Sequence, residues 1–381
     1  MKIVVAMDSL KGSLSSMEAG LAVKSGIQRV CDADIMVKPL GDGGEGTYEA
    51  LLEGLGGRRR KIMVTGPMGA MTEAQYGILD DGKTAVMEMA QAAGITKASV
   101  NEKNALTATT YGVGEMILDA IENGCRRFLI GIGGSATSDG GTGMLRALGA
   151  RFLKENGEEI APGICELDQI VKIQTENMNQ VCKECEFEIA CDVTNPLYGE
   201  NGAVFVFGEQ KGILKEQKEK MDKKMIHYAD VTKKTLGKDF STVAGAGAAG
   251  GLGYAFLSYF SKVKLKSGIS FVLDTIALEK EIKDADLVIT GEGRLDGQTA
   301  MGKAPVGVAK LAKKYQTCVI ALAGSVTSDA RQCNEVGIDA YFPIVRGVTT
   351  LEEAMKPENA KINLEETIEQ VIRLFLSVRE K

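Results

Sequence analysis

Several residue types are scarce in this chain of 381 residues, and each scarcity speaks against a class of protein. Trp is absent and His occurs once, at His227, which disfavours catalysis by a Ser–His or Cys–His pair. Only 7 residues are Pro, and the 46 Gly follow no fixed period. The composition is therefore neither collagen-like nor disordered. No apolar run approaches the roughly 18 residues of a membrane span.

The charge balance is mildly acidic, with 51 Asp and Glu against 45 Lys and Arg and a formal net charge of -6. A nucleic-acid-binding protein usually needs a basic face, so no nucleic-acid partner is expected. The opening apolar stretch, Lys2–Met7, is too short for a signal-peptide core and is typical of a buried strand. We expect a cytoplasmic protein without a membrane partner, acting as a monomer or homodimer.

The 8 Cys are scattered and form no disulfide framework, which favours reduced thiols. The one suggestive spacing is Cys182 and Cys185, with Cys191 nearby. A zinc site would need a second ligand pair, and a redox site would need a thioredoxin-like context. We expect these cysteines to be ordinary buried or surface thiols.

The two ends of the chain repeat a strand–loop–helix pattern that is typical of a parallel α/β sheet. Between them, three short strands with a hairpin turn at Asp80–Gly82 indicate a mixed sheet. The fold class expected is α/β, with residues 1–63 and 284–381 forming a parallel-sheet domain and residues 64–283 an inserted mixed α/β domain. The length of the chain also favours about two domains.

Five loops combine Gly with acidic, basic or hydroxyl side chains, which suits the binding of phosphates and Mg²⁺. The first, Asp8–Ser13, contains Lys11, which could neutralise a carboxylate or a phosphate; as a plain turn, it would merely cap the next helix through Ser13 or Ser15. The second, Gly41–Thr47, places Asp42 and Glu45 among four Gly.

The third loop, Gly131–Gly143, follows a predicted strand with small residues and hydroxyls, a pattern that places an anion on a helix N-terminus. In the fourth, Asp192 follows a predicted strand at Glu188–Cys191, a common position for a catalytic acid or base. Asn195 and Pro196 would otherwise be only a turn signal.

The fifth loop, expected over Thr290–Thr299 and closing at Lys303, contains Glu292 and Asp296 with basic residues beside them. Its segment from Gly297 to Lys303 nearly matches a P-loop. Ala304 replaces the Ser or Thr that would bind Mg²⁺, and the sequence predicts no strand immediately before this segment, so a P-loop is rejected.

Gly245–Gly250 matches the GxGxxG dinucleotide pattern literally. The preceding residues make a poor strand, and no acid stands about twenty residues later. Contact with phosphate or substrate by Gly247–Gly253, at a helix start, is the preferred interpretation, and NAD binding is the alternative.

Together these loops resemble the bacterial type I glycerate kinase family, along nearly the whole chain. The segments that carry the resemblance are Asp8–Ser13, Asp42–Thr47, Gly133–Gly143, Asp192–Pro196, Phe207–Gly212, Gly245–Gly253 and Gly291–Val308. Met7, Ser138 and Glu209 depart from residues frequent in the family. None of these departures removes a charged group, so they bear on substrate preference more than on reaction type.

The resemblance implies a Rossmann-like domain with a large insertion, and transfer of the γ-phosphoryl group of ATP to D-glycerate with Mg²⁺, giving 2-phosphoglycerate. Positioning and charge neutralisation dominate such a reaction. The residues proposed for each role are Asp192, Asp296 and Lys11 for catalysis; Asp8, Ser9, Ser13, Asp42 and Arg294 for substrate; Gly133, Gly134, Ser135, Gly247, Gly250, Gly251 and Lys303 for nucleotide; and Asp42, Glu45 and Glu292 for Mg²⁺.

Within this scheme Asp192 is the first choice for the base that receives the glycerate hydroxyl proton, and Asp296 the second. Lys11 and Arg294 are expected to hold the glycerate carboxylate. Two other functions compete: an NAD-linked dehydrogenase acting on glycerate or hydroxypyruvate, and a metabolite sensor without catalysis.

Overall fold

A computed structural model of the chain describes residues 1–41, 46–99 and 102–379. Among them, the strands are β1 Lys2–Met7, β2 Asp34–Val37, β3 Gly57–Thr65, β4 Met71–Leu79, β5 Thr84–Glu88, β6 Arg127–Gly131, β7 Arg151–Leu153, β8 Lys172–Gln174, β9 Glu186–Ala190, β10 Val263–Lys266, β11 Leu287–Leu295, β12 Cys318–Val326 and β13 Ala340–Pro343. The α-helices are α1 Ser16–Gln28, α2 Thr47–Leu55, α3 Ala90–Ala93, α4 Glu102–Thr107, α5 Tyr111–Glu122, α6 Thr142–Ala147, α7 Ala203–Phe207, α8 Lys218–Leu236, α9 Leu252–Tyr259, α10 Gly268–Thr275, α11 Leu278–Ile282, α12 Gly297–Ala300, α13 Ala304–Lys313, α14 Gln332–Glu335, α15 Leu351–Met355 and α16 Pro357–Arg379.

One compact unit, here called the terminal unit, comprises Met1–Asp42, Glu49–Leu55 and Ile269–Lys381. Its sheet has the strand order β13-β12-β11-β1-β2, and all neighbouring strands are parallel. The order reverses at β1, which has β2 on one side and β11 on the other. In open parallel sheets, ligands bind outside the carboxyl ends of the strands at such a reversal. The prediction of a Rossmann-like parallel sheet is confirmed.

Helices α1 and α16 of the terminal unit approach each other closely. A Cβ at Gly26 would lie 2.3 Å from the carbonyl oxygen of Glu365, so only glycine allows this distance. Buried Val23, Ile27 and Ile368 belong to the same hydrophobic core. Each such side chain contributes about 1.5–3 kcal/mol when fully buried, and this packing supports the sheet that carries the loops after β1 and β11.

The second compact unit, here called the middle unit, comprises Gly43–Tyr48 and Gly56–Gly268. Its main sheet has the order β10-β9-β6-β5-β4-β3. Strands β10, β9, β6 and β5 are parallel to one another, while β4 runs antiparallel to both β5 and β3. Stacked rings of Phe128 and Phe187, with centroids 5.0 Å apart, lie in its core. The prediction of a mixed α/β arrangement is confirmed.

The limits of the two units differ from the boundaries expected at 63 and 284. Strand β3 pairs with β4 along its whole length, beginning with Gly57 opposite Leu79, so it belongs to the middle unit. Residues from Ile269 onward belong to the terminal unit, where Ile269 packs against Gly307 so closely that a Cβ on that glycine would lie 2.3 Å from Ile269 Cγ1.

Two elements differ in length from the sequence prediction. Strand β11 continues to Leu295 because it stays paired with β12 as far as Val326, so much of the expected fifth loop is strand. One reason given against a P-loop was therefore wrong, since a strand does precede Gly297 closely. Helix α12 nevertheless occupies the middle of that segment, where a P-loop keeps its backbone open for phosphate. The charged stretch Lys211–Leu236 has the pattern of one long helix, but helix α8 begins only at Lys218, after a left-handed turn at Gly212 (φ 95°).

The suggestive cysteine pair is structural. Cys182 and Cys185 are buried, and burial raises the pKa of their thiols to about 11 and about 12, so both stay protonated. Within the described ranges, no group of acidic, His and Cys side chains could hold a metal ion by itself. No helix in those ranges is both long and apolar enough to cross a membrane.

Candidate active site

A cleft of about 610 Å³, here called the terminal cleft, lies in the terminal unit. It is formed by the loop after β1 and the ends of β11, β12 and β13, which are carboxyl ends of parallel strands. Its charged lining residues are Asp8, Lys11, Glu292, Arg294, Asp296 and Lys303. Its apolar lining includes Leu10, Ile344, Val345, Leu351 and Met355. The cleft therefore combines three cations and three acids with an apolar wall.

Glu292 is the buried acid of this cleft, with 7% of its surface exposed. Thr299 Oγ1 donates a hydrogen bond of 2.5 Å to Glu292 Oε1, and Lys303 Nζ lies 3.9 Å from Oε2. Burial raises the pKa of Glu292, while the Thr299 hydrogen bond and the charge of Lys303 oppose that rise. Oε1 of Glu292 is thus held by Thr299, and Oε2 faces the ammonium of Lys303.

Asp296 has a structural task. Its carboxylate is the N-cap of α12 and accepts hydrogen bonds from the amides of Gln298 and Thr299, at 2.9 and 3.2 Å from Oδ1. The charges of Arg294 and Lys303 lie 3.7 and 3.9 Å from it. The arrangement fixes the N-terminus of α12 and keeps Arg294 and Lys303 beside the cleft.

The loop after β1 is held by short local contacts. Asp8 is buried, and its Oδ1 accepts a hydrogen bond of 2.7 Å from the amide of Ser9. Ser15, one of the two expected caps, begins α1 in a reciprocal capping box with Glu18. Ser13 lines the cleft instead, and its buried Oγ has no hydrogen-bond partner among the described residues. Ser13 therefore offers a hydroxyl to a ligand.

A smaller cleft of about 380 Å³, here called the middle cleft, lies in the middle unit. It is formed by the loops that follow β6 and β9, again at carboxyl ends of parallel strands. Its lining residues are Ile95, Ile132, Gly133, Gly134, Ser135, Ala190, Cys191, Asp192, Val193, Phe207, Gln210, Lys211, Ala248 and Ala249. Asp192 and Lys211 are the charged residues among them.

Lys211 is buried, with 4% of its surface exposed. Its Nζ donates hydrogen bonds to Ser135 Oγ at 2.9 Å and to the carbonyl oxygen of Thr137 at 2.7 Å. Burial lowers the pKa of Lys211 from its ordinary 10.5 to about 8, and the charge of Asp139 opposes this shift. A buried ammonium thus holds the loop after β6.

Asp139 fixes the other half of the same loop. Its carboxylate is fully buried and accepts hydrogen bonds from Thr110 N, Thr110 Oγ1, Gly141 N and Gly143 N, at 2.8 to 3.1 Å. Burial raises its pKa, and these donors oppose that rise. The loop that lines the middle cleft is therefore preorganised by a buried acid.

Asp192 lies at the mouth of the middle cleft. Its side chain is exposed, and its Oδ1 accepts a hydrogen bond of 2.7 Å from the amide of Gly268. This contact orients the carboxylate directly after β9, the position that the sequence predicted for a catalytic acid or base.

The glycines proposed for phosphate contact, Gly247, Gly250 and Gly251, line neither cleft. A Cβ at Gly247 would lie 2.2 Å from the carbonyl oxygen of Pro196, and one at Gly250 would lie 2.0 Å from that of Thr137. Close backbone packing therefore explains these glycines without a ligand. The GxGxxG match also follows turns rather than a strand, so the structure lends NAD binding no support.

Comparison with known proteins decides the family. The model of the glycerate kinase family matches residues 3–376. The chain belongs to the glycerate kinase family. It is 46% identical to a glycerate kinase of Bacillus subtilis (strain 168), over 97% of each chain. It is also 46% identical to the glycerate 2-kinase of Escherichia coli (strain K12), over 93% of each chain.

Solved structures agree with this membership. A crystal structure of a protein assigned as glycerate kinase 2, from Salmonella typhimurium LT2, superposes with a TM-score of 0.91 at 42% identity, covering all of both chains. The resemblance seen in the loops, and the α/β fold that it implied, are confirmed.

Most residues predicted for the site of this glycerate kinase family member lie in one of the two clefts, and Gly247, Gly250 and Gly251 lie in neither. The terminal cleft contains Asp8, Ser9, Lys11, Ser13, Glu292, Arg294, Asp296 and Lys303, and the middle cleft contains Gly133, Gly134, Ser135 and Asp192. The nucleotide-binding residues expected to act together are divided, since Lys303 lies in the terminal cleft and Gly133–Ser135 in the middle cleft. Asp42 and Glu45, predicted for Mg²⁺, lie outside the described residues.

Sequence reasoning assigned no role to Lys211 or Asp139. The signal was present for Lys211, because Phe207–Gly212 was among the segments that resemble the family. A lysine within a charged stretch nevertheless looks like a solvated surface residue. Its burial depends on contacts with Ser135 and Thr137, more than seventy positions away.

The described residues suit Mg²⁺ bound together with a nucleotide. Mg²⁺ usually takes one or two protein carboxylates and completes its shell with phosphate oxygens and water. Glu292 and Asp8 both line the terminal cleft and supply two carboxylates to it. A cage of three acids, which the described residues lack, is not needed for such an ion.

Proposed function

We propose that this chain is an ATP-dependent kinase that phosphorylates the 2-hydroxyl of D-glycerate, giving 2-phosphoglycerate and ADP. Membership of the glycerate kinase family and 46% identity to a relative named glycerate 2-kinase support the reaction. The charge composition of the terminal cleft is the structural observation that carries it. Phosphoryl transfer needs cationic side chains and carboxylates that can bind Mg²⁺ beside the same polyphosphate. The terminal cleft contains side chains of both kinds.

The nucleotide polyphosphate is assigned to the terminal cleft. Lys11, Arg294 and Lys303 supply positive charge for a polyanion, and the cleft lies where the parallel sheet reverses its order. The apolar wall that includes Leu351 and Met355 suits a nucleobase. This differs from the expectation that Lys11 and Arg294 hold the glycerate carboxylate.

Glu292 and Asp8 would hold Mg²⁺ beside this polyphosphate. When bound, the ion neutralises charge that develops on the phosphates during transfer. The protein positions the carboxylate, since Thr299 fixes one oxygen of Glu292. The charge of Lys303, beside the other oxygen, opposes the rise that burial causes in the pKa of Glu292.

Asp192 is assigned as the general base. In the transfer, the 2-hydroxyl oxygen of glycerate bonds to the γ-phosphorus, its proton passes to Asp192, and the bond from that phosphorus to the ADP oxygen breaks. A base of this kind contributes about 10²- to 10⁴-fold in rate. The Gly268 hydrogen bond orients the carboxylate that takes the proton.

The setting proposed is the cytoplasm. All eight cysteines are free thiols, as expected in a reducing compartment. Fractionation of the native cells, with the protein followed by antibody, tests this location; recovery in an oxidising compartment contradicts it.

Release of ADP, measured by a coupled assay with Mg²⁺ and ATP, tests the reaction. D-glycerate should give the highest kcat/KM among D-glycerate, L-glycerate, glycolate and D-lactate. Reduction of NAD⁺ by the same substrates should be absent. Faster turnover of another hydroxy acid would make that acid the proposed acceptor. ATP binding without turnover of any of these acids would favour a metabolite sensor.

A further inference from the structure

Lys211 has unused capacity to bind an anion. An ammonium group carries three N–H donors. Two of them reach Ser135 Oγ and the carbonyl oxygen of Thr137, and the third has no acceptor among the described residues. Because Lys211 lines the middle cleft, this third donor is available to a ligand bound there.

The burial of Lys211 is electrostatically incomplete. No carboxylate in the described parts of the chain lies within 4.0 Å of its ammonium. Burying a charge without an ionic partner in contact is costly: burial lowers the pKa of Lys211 to about 8, and the charge of Asp139 offsets only part of that shift. An anion in the cleft would supply the missing partner and favour the charged form.

Backbone donors stand beside this ammonium. Gly133, Gly134 and Ser135 line the same cleft, and none of their amides donates to an acceptor in the described ranges. Gly133 and Gly134 are exposed, and Gly134 has a left-handed φ of 70°, which a glycine adopts without strain. Adjacent amides without an internal acceptor, next to a cation, can bind an oxyanion.

We propose that Lys211 binds the carboxylate of the acceptor hydroxy acid in the middle cleft, with the amides of Gly133–Ser135 as additional donors. This proposal rests on the proposed function. It assigns the acceptor to the middle cleft and to Lys211, a residue to which the sequence analysis gave no role. The single cation of this cleft suits a monoanion, whereas the three cations of the terminal cleft suit a polyphosphate. The volumes, about 380 and about 610 Å³, follow the same order.

The assignment also places the acceptor beside its base. Asp192 lines the middle cleft together with Lys211, so a short hydroxy acid anchored by its carboxylate presents its hydroxyl close to Asp192. The expectation that Gly133–Ser135 contact the nucleotide is replaced by contact with the acceptor.

The first test compares Lys211→Met with wild type, using Lys215→Met as a control because Lys215 is exposed on the same stretch. The acceptors are D-glycerate and glycerol, which lacks the carboxylate. Lys211→Met should lose at least about tenfold in kcat/KM for D-glycerate relative to glycerol, since hydrogen bonds to charged groups are strong. An unchanged ratio, or a selective loss of affinity for the ATP analogue AMP-PNP, overturns the proposal.

The second test needs no variant and covers the case in which Lys211→Met fails to fold. Hydrogen exchange of the wild-type protein is measured with D-glycerate, with Mg·AMP-PNP, and with both. D-glycerate should protect the peptide containing Gly133–Ser135, and Mg·AMP-PNP should protect peptides containing Lys11 and Glu292. Protection by D-glycerate confined to the terminal-cleft peptides contradicts the assignment.

Wild-type turnover separates the two proposals. If folded wild type does not phosphorylate D-glycerate, the proposed function fails, whatever happens at Lys211. Turnover could instead be normal while Lys211→Met leaves the ratio of kcat/KM for D-glycerate and glycerol unchanged and D-glycerate does not protect Gly133–Ser135. In that case only the assignment of Lys211 fails.

Discussion

A buried ammonium makes the chemistry of a single residue sensitive to pH. Lys211 has a pKa of about 8, below its ordinary 10.5, because burial disfavours its charge. The acids facing it are Asp139, whose pKa burial raises, and Asp192 in the same cleft. The proposed site therefore loses its cation in a range where most lysines keep theirs.

The KM for D-glycerate should accordingly rise above pH 8, by up to about tenfold per pH unit, because the neutral amine no longer attracts a carboxylate. The free energy of unfolding, in contrast, should improve as the pH rises through the same range. The unfolded chain keeps this proton up to a higher pH, so the contribution of Lys211 to the free energy of unfolding grows from about pH 8 to 10.5. Kinetics and urea unfolding from pH 7 to 10 measure both, and Lys211→Met should lose both dependences. A KM that stays flat across pH 8 contradicts the first.

Asp192 is the residue on which the proposed proton transfer depends. Asp192→Asn keeps an oxygen that can accept the Gly268 hydrogen bond but removes the base. We expect kcat to fall about a hundredfold or more, with an unchanged thermal midpoint. A folded variant that retains most of its kcat shows that another group takes the proton.

Individual site residues could be predicted from sequence when they stand at the end of an apolar strand pattern. Asp8 and Asp192 follow β1 and β9, Glu292 lies in the glycine-rich end of β11, and each lines a cleft. Lys211 could not be assigned this way, because nothing near it in sequence shows that it is buried. Its environment is created by the loop after β6, which arrives from a distant part of the chain.

At the scale of elements, Asp296 stabilises α12 as its N-cap. Asn caps helices about as well as Asp, whereas Ala costs about 1 kcal/mol. Asp296→Asn should keep stability and most of kcat, while Asp296→Ala should lower the urea midpoint. Measuring both separates capping from catalysis. A loss of a hundredfold or more in the kcat of a stable Asp296→Asn protein makes Asp296 the base.

The loop containing Gly250 is fixed by backbone contact. Gly250 has φ 66°, and a Cβ there would lie 2.0 Å from the carbonyl oxygen of Thr137. Gly157 has φ 81° with nothing within 4 Å of a Cβ, so Gly157→Ala isolates the cost of backbone strain. We expect Gly157→Ala to cost about 1–2 kcal/mol and Gly250→Ala at least about 2 kcal/mol more, from urea unfolding. Equal losses mean that the contact with Thr137 relaxes without cost.

Strand and helix positions followed from hydrophobic pattern, but lengths did not. The sequence of β11 turns polar and glycine-rich at Gly291, which is typical of a loop, yet the backbone remains paired with β12 to Leu295. Pairing with a neighbour that is distant in sequence outweighs local composition. As a result, Arg294 stands on a strand rather than on a loop.

At the scale of the whole molecule, each compact unit contains a parallel sheet with a polar cleft at the carboxyl ends of its strands. The alternation of strands and helices predicted this architecture, and membership of the glycerate kinase family agrees with it. The domain limits could not be predicted, because no Pro- or Ser-rich linker marks them. The division of the predicted binding residues between two clefts also required the structure.

The central claim is that this chain transfers the γ-phosphoryl group of ATP to the 2-hydroxyl of D-glycerate. ³¹P NMR of the purified protein with ATP, Mg²⁺ and D-glycerate tests it most directly, because it identifies the product and the phosphorylated position together. We predict a signal of 2-phosphoglycerate that grows as ADP forms and is absent when EDTA is added. A 3-phosphoglycerate signal, or no phosphorylated product from folded protein that binds ATP, would contradict the account.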